Sequence, residues 1–100
     1  MINGAILKVK SGQVGQWRAW CEELKTSLIS EALETLKDEQ VFQEASFLFE
    51  INGEFYVLGF MDGECLPADM TKEINIKHKK KKEECLEYVS KIETLYNLKQ

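Results

Sequence analysis

The stretch that decides the fold reads Val41-Phe42-Gln43-Glu44-Ala45-Ser46-Phe47-Leu48-Phe49-Glu50-Ile51, then Asn52-Gly53, then Glu54-Phe55-Tyr56-Val57-Leu58-Gly59-Phe60-Met61-Asp62. Two runs rich in strand-forming residues flank an Asn-Gly pair, which takes the positive φ angles of a two-residue type I′ turn at low cost. The stretch is therefore a hairpin, and its turn sets the register. Ile51 faces Glu54, and counting back sets Phe49 against Tyr56, Phe47 against Leu58 and Ala45 against Phe60 on one face. Leu48 with Val57, Ser46 with Gly59 and Glu44 with Met61 share the other. The first face is apolar throughout and is expected to lie under helices. The second is smaller and acidic, and is expected to stay open.

Upstream, residues 2 to 10 alternate, with Ala5, Leu7 and Val9 on one side and Ile6, Lys8 and Lys10 on the other, the period of a half-buried strand. Ser11-Gly12 ends it. From Gln13 the apolar spacing changes to threes and fours through Val14, Trp17, Cys21, Leu24 and Leu28, an amphipathic helix. A single helix over residues 13 to 38 would be about 39 Å long, against about 30 Å for a ten-residue strand. The apolar stripe also slips, to Ile29, Leu33 and Leu36, so a break is expected near Ser27 to Ser30. Downstream, residues 64 to 70, with the sole proline Pro67, read as a loop. Thr71 is positioned to cap a further helix running to about Ser90, with Ile74, His78, Cys85, Val89 and Ile92 at helical spacing. Thr94 to Leu98 reads as a short fourth strand.

The order β-α-β-β-α-β defines an α+β fold of ferredoxin-like type, a four-stranded antiparallel sheet with its helices on one face. The length suits one domain over residues 1–100. The face left open, with Leu48, Val57, Met61 and Ile6, is too apolar for water and predicts a homodimer that stacks two sheets.

Hydrophobic residues make up 44% and charged residues 30%, the balance of an ordered globular protein. A net charge of −4 opposes general affinity for nucleic acid. No apolar run approaches the ~20 residues of a membrane span, and Met1 to Ala5 show no basic leader, so a cytoplasmic location without membrane partners is expected. Cys21, Cys65 and Cys85 are odd in number and far apart, and the chain has one histidine. That argues for free thiols and against a zinc site.

Chemistry has few candidates. His78, on the apolar stripe of the helix after the hairpin, is either a hydrogen-bonded core residue or a ligand contact and general base. Asn75 lies one turn earlier on the same side and can share either role. Glu44 is a possible acid or base if unpaired, its pKa then rising, or a structural ion pair if it meets Lys8. Trp17, Trp20 and Tyr56 are aromatic candidates to line a pocket, with core packing the alternative for the indoles. The run Lys77 to Lys82, interrupted by His78, spreads around a helix and reads as a solvated face, not a phosphate platform. No phosphate loop, nucleophile elbow or metal-ligand cluster is present.

With Glu34-Thr35-Leu36-Lys37-Asp38-Glu39, Glu44, Phe47-Leu48, Tyr56-Val57-Leu58-Gly59-Phe60-Met61, Glu73-Ile74-Asn75, His78-Lys79, Glu84-Cys85-Leu86 and Leu95-Tyr96-Asn97-Leu98, the chain resembles the dimeric α+β barrel proteins. More closely it is similar to a family of this size whose function is unassigned. The resemblance implies a homodimer binding, or transforming, a small organic molecule near His78, Asn75 and Glu44, with no cofactor. A non-catalytic interaction or regulatory dimer is the alternative. Haem-degrading members of that superfamily use a helix histidine as iron ligand, an Asn on strand one and a Trp on strand three. His78 matches the first and Asn3 the second, whereas strand three carries Phe55, Tyr56 and Phe60 and no Trp, which disfavours haem.

Overall fold

A computed structural model of the chain describes residues 1–100. Its elements are β1 (Ile2–Val9), α1 (Val14–Lys25), α2 (Ile29–Asp38), β2 (Val41–Ile51), β3 (Glu54–Gly63), α3 (Glu73–Cys85) and β4 (Leu86–Lys91). The strands form one antiparallel sheet in the order β2-β3-β1-β4, the ferredoxin-like arrangement. A thickness of 21 Å against 35 Å in the other two directions is that of one sheet carrying one helical layer. No helix is long and apolar enough to cross a membrane.

The hairpin has the register its turn dictates. Asn52 and Gly53 both take positive φ, 51° and 79°, and every pairing from Ile51 with Glu54 to Glu44 with Met61 is formed. The covered face, however, is the opposite of the one expected. Val57 is buried with Val9, Trp17, Trp20, Cys85 and Leu86, and Leu7, Leu48 and Phe55 pack on that cluster. The helices therefore lie over the Leu48, Ser46 and Glu44 side. Ala45, Phe47, Phe49, Tyr56, Leu58 and Phe60 form the open side, joined by Ile6, which pairs with Leu58 and so does not share a face with Leu48, Val57 and Met61 as expected. Size explains the choice. Two indoles from α1 must fit between helix and sheet, and the face carrying Ala5, Ser46 and Gly59 leaves room that a row of phenyl rings does not. On the open side Phe47 stacks on Phe60 and Phe49 on Tyr56, with centroids 6.3 and 5.6 Å apart.

The break between α1 and α2 falls where the stripe slips. The Thr26 hydroxyl donates back to the Glu22 carbonyl at 2.6 Å and Leu28 N–H donates to Glu23 O at 2.8 Å, closing α1. All three cysteines are free, and Cys85 is buried.

Two boundaries differ from expectation. α3 stops at Cys85 and not near Ser90, so Val89 belongs to β4, and Thr94 to Leu98 form no strand. Leu86-Glu87-Tyr88-Val89 satisfies both periods, and a short run of that kind follows whatever edge is free. The edge here is β1: Lys10 N–H donates to Cys85 O at 2.8 Å and Lys10 Nζ to Glu83 O at 2.6 Å, which ends the helix beside Val9. The chain enters α3 through Lys72 as cap residue, not Thr71. Thr71 instead donates its N–H and its hydroxyl to Asp69 Oδ1, at 2.9 and 2.6 Å, a turn before the helix.

Gly63 holds the junction of β2 and β3. Its φ is 147°, and a Cβ there would collide with the Gln40 carbonyl and sit 2.8 Å from Val41 Cα. Gly63→Ala is expected to destabilise the fold by roughly 1–3 kcal/mol in urea unfolding, whereas Gly15→Ala, with open space around its Cβ in α1, stabilises by roughly 0.4–1 kcal/mol.

Candidate functional site

Ala5 on β1 pairs with Gly59 on β3, and Gly59 pairs with Ser46 on β2, so three small residues lie in a row across the helix-facing surface. Small side chains cannot fill the space beneath the helices. A cleft of about 340 Å³ remains, lined mostly by apolar residues, with Trp17 from α1, His78 and Lys82 from α3, Glu44 from β2, Asn3 from β1 and Tyr88 from β4. That volume and apolar character suit a small organic molecule. A second cleft, about 320 Å³, shares Trp17 and Ser46 with the first and mixes the charged Arg18, Glu22 and Lys25 with Cys21 and Leu48.

His78 is held on one side and free on the other. The indole N–H of the fully buried Trp20 donates to His78 Nδ1 at 2.8 Å, and the rings of Trp17 and Trp20 lie 6.2 and 6.0 Å from the imidazole. A nitrogen that accepts an N–H carries no proton, so we assign the neutral ring the Nε2–H tautomer. Nε2 has no partner within the chain, and no buried side-chain polar atom is left without one, so Nε2–H is accessible, on a residue that lines the cleft. Burial, and secondarily the nearby Lys82 ammonium, lower the imidazole pKa to about 4.

Glu44 is the other ionisable group of interest. It makes no ion pair; Lys8 pairs with Glu54 at 2.8 Å on the opposite face. Much of its side chain meets water at the mouth of the cleft, yet the surrounding protein desolvates the carboxyl and raises its pKa, with Lys82 opposing. The structure thus brings Glu44 to the helix side, where it shares a cleft with His78, and not to the open sheet face.

Trp17 lines that cleft, while Trp20 stands behind His78 and positions it. Asn75 and Tyr56 are placed elsewhere. Asn75 Nδ2 donates to the Asp69 carbonyl at 2.9 Å, bracing the loop before α3, and the Tyr56 hydroxyl donates to Glu54 Oε2 at 3.2 Å on the open face. Lys82 was hidden within the lysine run. Its signal is its spacing, since it lies four residues after His78 and so projects from the same helix face. No lysine between 77 and 82 forms an ion pair, and Lys77 Nζ lies 6.0 Å from the Trp20 ring.

The residues present do not fit haem. Iron ligation by His78 requires a lone pair on Nε2, and the Trp20 hydrogen bond places the proton there. No cluster of three or more His, Cys, Asp or Glu side chains is arranged to hold a metal ion.

Residues 5–100 match the model of a family of unknown function, DUF6176. The chain belongs to that family. No curated protein and no solved structure matches it. Family membership names no reaction, so the site's chemistry rests on its geometry.

That geometry carries a pH dependence. The unfolded imidazole has a pKa near 6.5 and the folded one about 4, so between these values the unfolded chain binds more protons. The stability contributed by neutral His78 is present above about pH 6.5 and is lost as pH falls toward about 4, by up to about 1.4 kcal/mol per pH unit. Urea unfolding of wild type and His78→Asn across that window is expected to converge as the pH is lowered.

Proposed function

We propose that this protein is a homodimer whose helix-side cleft binds a small, largely apolar organic molecule, contacted by His78 and Glu44. The observation that carries this reading is the juxtaposition, along one mostly apolar cleft, of an imidazole N–H and an unpaired carboxyl at its mouth, neither hydrogen-bonded within the chain and both open to an incoming molecule. Groups without a partner in the chain that remain accessible are free to hydrogen-bond an incoming molecule. A ligand with an oxygen would accept such a bond from His78. Binding alone, or binding followed by proton transfer, uses the same contacts.

The cleft is tested with a metabolite panel in thermal-shift assays. A ligand at a hundred times its Kd stabilises by about 2.7 kcal/mol, and His78→Ala is expected to abolish the response of any compound that also perturbs the His78 ring resonances. If no compound does both, the reading fails.

The dimer is supported by the aromatic side of the sheet. Phe47 and Ile51 are each 52% exposed, and only nine residues of 100 are buried, so the isolated chain leaves much of its apolar surface in water. Such a face calls for a cover, and a second copy placed on a two-fold axis offers an identical one. Phe47→Asp puts a charge midway along β2 on that face, beside Leu58 and Phe60. Light scattering is expected to show a dimer for wild type and a folded monomer for the variant; a monomeric wild type would refute the assembly.

A further inference from the structure

Resting on the cleft reading above, we infer that His78 and Lys82 form an oxyanion-binding pair, with Glu44 as the base, built for carbonyl compounds that carry an acidic C–H next to the carbonyl. Three placements carry the assignment. Trp20 occupies the only lone pair that a neutral His78 has, so the imidazole cannot take a proton without breaking the 2.8 Å bond; it can only donate, through Nε2–H. Lys82 lines the same cleft one turn along α3, adding a positive charge beside that donor. Glu44 is the one carboxylate lining the cleft, and it approaches from the sheet, across from the helix that carries both donors.

A group that only donates, a cation beside it and an acceptor opposite divide the labour of an enolisation. The substrate carbonyl oxygen sits on Nε2–H and Nζ. A Glu44 carboxylate oxygen removes the adjacent C–H proton, the C–H electron pair becomes the enolate double bond, and the carbonyl π pair moves onto the oxygen between the two donors. Glu44 then returns the same proton to a conjugated carbon of an unsaturated substrate, shifting the double bond. Nothing is oxidised or reduced and no co-reactant is consumed, so the product is an isomer of the substrate. The mostly apolar lining points to an apolar body on the ketone, enone or lactone. Phosphorylated substrates are disfavoured, because Glu44, and Glu39 close to it, repel a dianion.

The test begins without ligand. His78 is the sole histidine, so a long-range proton–nitrogen NMR spectrum of the ring is unambiguous. It is expected to show a protonated Nε2 and a bare Nδ1 at neutral pH, and Trp20→Phe is expected to release the ring into exchange with the other tautomer. A protonated Nδ1 in wild type would overturn the assignment. The second arm uses para-nitrophenol, whose phenolate mimics an enolate, at a pH where the free dye is mostly protonated. Wild type is expected to bind it as the yellow phenolate and shift the Nε2 resonance, with affinity falling about tenfold or more in His78→Ala and also in Lys82→Met. Dye bound as the neutral phenol, or bound equally by the variants, sinks the oxyanion role while leaving the cleft reading intact. If neither the dye nor any panel compound moves the His78 resonances, the cleft reading itself falls.

Discussion

The hydrogen bond from Trp20 to His78 joins α1 to α3, two of the three helices that roof the sheet, and most of the site's geometry follows from it. Trp20 is fully buried, so its N–H needs an acceptor within the protein, and the imidazole on α3 supplies one. The same bond decides which imidazole nitrogen carries the proton and leaves that nitrogen accessible, without a partner in the chain. A packing requirement thereby sets the chemistry that His78 offers.

The two faces of the sheet divide the remaining demands. Small residues beneath the helices make room for two indoles and still leave a hollow, while the bulky side chains gather on the opposite face, where no helix covers them. A helical layer needs depth for its own large residues, so the bulkier sheet face is the one it leaves. The cost to the isolated chain is a broad apolar surface, and its benefit is a cleft whose walls are already in place.

Much of this was legible in the residues. Asn52-Gly53 gave the hairpin register down to each pair, the slip of the apolar stripe located the break between α1 and α2, and the cysteine spacing indicated free thiols. His78 could be singled out as the only histidine on an apolar stripe. Its partner Trp20 lies outside the Val14-Trp17-Cys21-Leu24-Leu28 stripe, and a helical wheel does not reveal how deep a neighbouring helix sits. The end of α3 was misread since Leu86 to Val89 fits two periods, and only the free edge of β1 selects the strand.

The sequence by itself determined the hairpin and its register, the break between α1 and α2 and the order of strands and helices, because side-chain period and turn geometry are local properties of the chain. Which face the helices cover was decided by the tertiary structure. Alternation with a period of two is symmetric between the two sides of a sheet, and that symmetry is broken only when volumes from distant segments must fit together. The partner of His78 was decided in the same way, through a hydrogen bond spanning 58 residues that no local pattern encodes.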